Sequence, residues 1–179
     1  MTKPHERYSS IIFDIGQVLL RFDPKNVVQQ LFGRDIPLSL LSKQQVALYS
    51  EMSPEYMTVI EEGIALFDAV RARGFRTYVL SNLHSDWYEK LQHKHDFFKK
   101  FDGIVISGHV NSTKPHPVIY QHLLTTYALT PEECLFIDDR EDNIVAGKAL
   151  GIDGIVCSDH AFVHQELCCR GILSHRKEN

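Results

Sequence analysis

The chain has no long hydrophobic run; none approaches the ~18 consecutive apolar residues of a membrane-spanning helix. Its opening segment, Met1-Thr2-Lys3-Pro4-His5-Glu6-Arg7, lacks the apolar core of a signal peptide. A basic surplus is missing too. Nineteen Lys and Arg stand against 23 Asp and Glu, a formal net charge of −4, which argues against a partner gripped through a nucleic-acid backbone. Cysteine is scarce, at four residues, with no His or Cys at zinc-finger spacing around the vicinal pair Cys168-Cys169. Cys134 and Cys157 fall at or within predicted buried strands, and all four thiols are expected to be reduced and structural. Internal repeats and low-complexity linkers are also absent. These absences predict a cytoplasmic protein that binds neither nucleic acid nor membrane.

What is present is ordinary in proportion: 179 residues, 44% hydrophobic and 23% charged, enough for one domain with a proper core. Five short segments rich in β-branched residues read as buried parallel strands: Ser10 to Phe13, Thr77 to Leu80, Ile104 to Ile106, Leu135 to Ile137 and Gly154 to Cys157. Helical patterns separate the later ones, over Ile60 to Arg73 with Gly74 as its stop, Asp86 to Phe98, Pro117 to Tyr127 and Glu141 to Leu150. A last helix is expected over Ala161 to Cys169, and the polar tail from Ser174 to Asn179 is expected to fray. Strands alternating with helices predict an α/β fold, a doubly wound, Rossmann-like parallel sheet of about five strands. Val18 to Phe22 lies too close to the first strand for a crossover and reads as a hairpin-like flap. Helical stretches over Pro24 to Phe32 and Pro37 to Tyr49 follow, so residues 24–60 are expected to be a small helical insertion in a single domain, 1–179. His93 and His95 fall in a very polar helical segment, read as a solvated face.

Several strand ends carry chemistry. In an open parallel sheet, ligands sit outside the carboxyl ends of the strands. Asp14 ends the first strand, in Phe-Asp-Ile-Gly, where a carboxylate can attack phosphorus or simply open a turn before Gly16. Ser81-Asn82 follows Tyr-Val-Leu and offers hydroxyl, amide and backbone donors for phosphoryl oxygens, or else a turn or cap. Lys114, fixed between Thr113 and Pro115, offers a point charge for phosphate. Asp138, Asp139 and Asp142 place three carboxylates within five residues, and they repel one another unless a cation or hydrogen bonds neutralise them. Hard oxygen ligands of this kind suit Mg²⁺. Capping of the helix from Glu141 by Asp139 or Asp142 explains one of the three, not all.

The order Asp14, Ser81-Asn82, Lys114-Pro115, Asp138-Asp139 resembles the four motifs of the haloacid dehalogenase-like (HAD) hydrolase superfamily, over Ser10 to Val156. Within it, Phe13-Asp14-Ile15-Gly16-Gln17-Val18 is similar to the first motif of a bacterial sugar-phosphate phosphatase subgroup related to glucose-1-phosphatase. The resemblance implies a magnesium-dependent phosphomonoesterase acting on a small-molecule phosphoester. Asp14 would be nucleophile and metal ligand, with the Gly16 carbonyl and Asp139 completing the protein's ligands to Mg²⁺. Ser81, Asn82 and Lys114 would hold the phosphoryl oxygens, and Asp138 and Asp142 would support the site.

Two departures matter. Most phosphatases of the superfamily carry a second aspartate where this chain has Gly16, and losing a general acid–base typically costs ~10²–10⁴-fold in rate. An acidic leaving group, such as an anomeric hydroxyl, would be penalised less, and Asp23 is a candidate substitute. The interval from Asp14 to Ser81 is also short, since capped members usually have about a third more residues there and use the cap to exclude water. The competing readings are therefore a catalytically weak binding or regulatory protein on the same fold and, more remotely, a haloacid dehalogenase.

Overall fold

The computed structural model describes residues 7–174, so the expected fraying of the tail lies, beyond Ser174, outside the described residues. Five parallel strands form the central sheet: β1 (Ser10–Phe13), β4 (Arg76–Ser81), β5 (Gly103–Ile106), β6 (Cys134–Asp138) and β7 (Asp153–Val156). Their spatial order is β5-β4-β1-β6-β7, so the chain leaves β1 toward one edge and later returns to fill the other. The two halves part at β1 and β6, the switch point at which open α/β sheets bind ligands.

Every residue of β1 is buried, which is why it reads as an unbroken apolar run rather than an alternating one. Its side chains still divide by face. Ile11 and Phe13, with Val79, Leu135 and Ile137, pack on one side against Phe67, Leu91 and Leu167. Ile12, with Tyr78, Leu80 and Phe136, packs on the other against Ile119, Tyr120 and Ile144. Helices α3 (Glu61–Ala72), α4 (Ser85–Lys94) and α8 (His160–Cys169) thus cover the first face. The second is covered by α6 (Pro117–Thr126) and α7 (Glu141–Lys148).

The expected helix over Asp86 to Phe98 ends four residues early, at Lys94, and a 3₁₀ turn over Asp96–Lys100 takes its place. Phe97 and Phe98 cause the change by turning inward. His95 turns with them and stacks on Phe97, so only His93 keeps the solvated position expected of both. Cys134, Cys157 and Cys168 are buried, and burial pushes the Cys134 thiol up to about 12. Cys169 is exposed, so the structural reading does not extend to it.

Between β1 and α3 the flap forms as a strand, β2 (Leu20–Arg21), but its partner is distant in sequence. It pairs antiparallel with β3 (Thr58–Val59), at the far end of the 24–60 interval. That interval holds α1 (Pro24–Phe32) and α2 (Lys43–Met52), the latter with no buried residue. Lys90 of α4 donates to the Glu51 carbonyl at 2.7 Å, and Lys94 to the Glu55 carbonyl at 2.7 Å. Both lysines meet carbonyl groups near the ends of turns, where helices leave acceptors unpaired, and they tie the interval to the sheet layer.

Candidate active site

Asp14 follows β1, and its amide extends the parallel ladder by one bond, donating to the Ile137 carbonyl at 2.9 Å. That bond sets the carboxylate beside the end of β6. Asp138, the last residue of β6, is wholly buried. Its Oδ1 accepts from the Arg140 amide at 2.9 Å and from Asn143 Nδ2 at 2.9 Å. Its Oδ2 accepts from Lys114 Nζ at 2.6 Å.

Lys114 is the hub. Its ammonium also donates to the Leu80 carbonyl at 2.7 Å and lies 2.9 Å from Asp14 Oδ1. An ammonium has three donors, and three protein acceptors surround this one. The contact with Asp14 is an ion pair without hydrogen-bond alignment, so the buried Asp14 Oδ1 has no hydrogen-bond partner among the described residues. Asn82 holds the lysine's backbone: Asn82 Nδ2 donates to the Lys114 carbonyl at 2.9 Å, and the Lys114 amide to Asn82 Oδ1 at 2.7 Å. The side chains read from sequence as phosphate ligands are thus partly engaged with the protein itself. Ser81 is buried at the end of β4.

One carboxylate oxygen from each of Asp14, Asp138 and Asp139 lies within 4.8 Å of the others. Burial raises the Asp138 pKa, with the Asp14 charge adding to it and Lys114 opposing it. Asp139 is raised by burial as well, then by the charges of Asp14 and Asp138. One lysine against three carboxylates leaves an excess of negative charge, and this all-oxygen donor set fits a hard divalent cation.

Gly16 borders the same carboxylate: a Cβ there would lie 3.9 Å from Asp14 Oδ2. The remaining two sequence candidates lie elsewhere. Asp142 is an exposed carboxylate paired with Arg140 Nη2 at 2.7 Å, and that guanidinium lowers its pKa. Neither Asp139 nor Asp142 caps α7; Arg140 stands at that position without a side-chain cap. Asp23 is exposed and caps α1, accepting from the Lys25 amide at 3.0 Å and the Asn26 amide at 3.3 Å. The sequence reading gave no role to Asn143, whose side-chain amide reaches both Asp138 oxygens. Its place three residues into a helix that follows a strand-end carboxylate was the available signal.

Residues 44–151 match the family model of haloacid dehalogenase-like hydrolases. The chain belongs to that family. This HAD-like protein is 27% identical over 103 residues to a sesquiterpene phosphatase of Aspergillus oryzae, covering 58% of this chain and 53% of that protein. It is 28% identical over 129 residues to a phosphoglycolate phosphatase of Salmonella typhi, covering 68% and 50%. It spans about half the length of these two relatives. A HAD-family enzyme of Bacteroides thetaiotaomicron, whose wild-type protein was solved in complex with magnesium and inorganic phosphate, shares the fold at a TM-score of 0.61. The complex is 16% identical and covers 83% of this chain and 93% of that one.

Proposed function

We propose that the protein is a magnesium-dependent phosphomonoester hydrolase that works through an aspartyl-phosphate on Asp14, acting on sugar phosphates or similar small phosphoesters. The observation that carries this reading is the convergence of Asp14, Asp138 and Asp139 within 4.8 Å around the buried Lys114. The phosphatase names of the two relatives, and the magnesium and phosphate in the solved family member, support it.

Asp14, the Gly16 carbonyl and Asp139 would hold the ion. Bound there, Mg²⁺ supplies the positive charge that lets a phosphoryl dianion approach a carboxylate cluster. Asp14 then attacks phosphorus: an Asp14–phosphorus bond forms, the phosphorus–oxygen bond to the leaving group breaks, and the leaving oxygen takes a proton from solvent. Water attacks the acyl phosphate in the second step, releasing phosphate and restoring Asp14. Ser81 and Asn82 offer donors to the phosphoryl oxygens, while Lys114 neutralises Asp14 and Asp138. Asp138 acts through Lys114 and does not touch substrate. Residues 24–60 would serve as a reduced cap, and Lys90 and Lys94 of α4 hold its Glu51 and Glu55 carbonyls.

A second reading, a catalytically weak phosphate-binding protein, is favoured by one specific observation. Gly16 supplies no acid or base, and the Asp23 carboxylate is engaged as a helix cap. A dehalogenase needs no such metal-fitting cluster. A phosphate-ester panel with and without Mg²⁺, run beside Asp14→Asn, decides between these readings. Metal-dependent turnover abolished by Asp14→Asn supports the phosphatase, and phosphate binding without turnover supports the alternative.

A further inference from the structure

Above the ends of β4 and β5, with Asn82 and Thr113 in its lining, is a cleft of about 690 Å³. One wall is the turn from Asn82 to His84; the other runs from Ser107 to Val118. The walls are pinned together at both ends. At one, Ser107 Oγ accepts from the Leu83 amide at 3.0 Å and donates to the Leu83 carbonyl at 3.1 Å. At the other is the reciprocal pair between Asn82 and the Lys114 backbone. Gly108 makes the close approach possible, since a Cβ there would lie 2.5 Å from the Ser85 amide.

Between these pins the polar side chains are free. Ser112 and Thr113 make no side-chain hydrogen bond among the described residues. His116 caps α6 by accepting from the Val118 amide at Nδ1, 3.4 Å away. That bond makes Nδ1 the acceptor and leaves the proton on Nε2, a donor not used by the cap. Among the described residues the cleft lining includes no Lys, Arg, Asp or Glu. A pre-formed pocket with a few unpaired polar groups is the usual form of a small-molecule site.

We infer that this cleft receives the leaving group of the phosphoester, and that it selects a neutral, hydroxylated one. The inference rests on the phosphatase reading above. Asn82 lines the cleft and is bonded to the Lys114 backbone, and the Lys114 ammonium lies 2.9 Å from Asp14 Oδ1, so the cleft adjoins the residues that would hold the phosphoryl group. Hydroxyls, an amide and an imidazole suit polyol hydroxyls, which both donate and accept. A carboxylate-bearing leaving group such as glycolate would enter without a fixed cation to pair with and would lose its hydration.

The test compares kcat/KM with Mg²⁺ on an aryl phosphate, a neutral sugar phosphate and phosphoglycolate. The parent is expected to favour the sugar phosphate over phosphoglycolate. The paired variant Ser112→Ala/Thr113→Val removes two hydroxyls from an accessible loop, and its preference for sugar phosphate over aryl phosphate should fall about tenfold, the loss of one or two hydrogen bonds. His116→Asn keeps an acceptor for the Val118 amide and should lower the same ratio. A ratio unmoved in both variants, or a parent that prefers phosphoglycolate, overturns the assignment while leaving the phosphatase reading standing. No Asp14-dependent turnover of any of the three esters overturns both.

Discussion

Lys114 and Asp138 form a buried ion pair, with Nζ 2.6 Å from Oδ2 and both side chains at most 1% exposed. Asp14 adds a second carboxylate to the same ammonium at 2.9 Å. Taking these charges out of water costs several kcal/mol per ion, and only close pairing with further hydrogen bonds offsets it. Asn143 and the Arg140 amide supply those further bonds to Asp138.

Lys114→Met should therefore be severely destabilising, by about 3–5 kcal/mol, because it strands two buried carboxylates. Asp138→Asn should cost less, since Lys114 keeps Asp14 and the Leu80 carbonyl. Urea denaturation of both variants checks the order. A Lys114→Met protein as stable as the parent would show that the ammonium is not what neutralises this cluster.

The raised pKa values of Asp138 and Asp139 fix a sign. A carboxylate whose folded pKa lies above its unfolded value near 3.8 binds more protons folded than unfolded in the window between the two. Metal-free stability should then fall as pH rises through that window. Mg²⁺ should restore it at neutral pH, in proportion to the logarithm of its concentration. Asp153 has a lowered pKa and works in the opposite direction, so the useful quantity is the difference between the parent and Asp139→Asn. Thermal melts across pH, with and without Mg²⁺, measure it. Equal Mg²⁺ stabilisation of both proteins would remove Asp139 from the ligand set.

Gly16→Asp should fit. Its Cβ meets nothing nearer than Asp14 Oδ2, at an ordinary van der Waals distance of 3.9 Å. Adding the acid–base group should speed turnover of alkyl phosphates by up to ~10²-fold, and aryl phosphates less, because their leaving oxygen needs less protonation. The parent should show a burst with a chromogenic aryl phosphate as the acyl phosphate accumulates. A variant with intact Mg²⁺ binding, no rate gain and no burst in the parent would reject this account of Gly16.

Gly63→Ala tests how the flap is held. A Cβ at position 63 would lie 2.0 Å from the Val18 carbonyl oxygen, which also lies 2.8 Å from His160 Nε2. Backbone must move, at a cost of about 1–3 kcal/mol. Since Val18 is two residues from Gly16, Mg²⁺ affinity should weaken along with stability. Calorimetric titration at unchanged affinity would show that the flap moves independently of the site.

The apolar runs that became β1, β4, β5, β6 and β7 were legible in sequence because strands buried on both faces need no alternation. Asp14 and Asp139 were legible for a related reason, since a carboxylate directly after such a run has few places to go but the sheet's carboxyl edge. The early end of α4 was not legible. His93 to Phe98 carries no helix-breaking proline or glycine, and inward packing of Phe97 and Phe98 stopped the helix there.

By itself the sequence determined the strand–helix alternation, the strand-end carboxylates and the glycine at position 16, because each is a local matter of periodicity or residue type. Only the tertiary structure decided what the polar groups face. Lys114 turned toward Asp14, Asp138 and the Leu80 carbonyl, Asn82 toward the lysine's backbone, Asp142 outward to Arg140 and Asp23 back onto α1. Those partners lie on different elements or around local turns, and a buried charge takes whichever partners the packed strands bring within reach, which residue spacing does not encode.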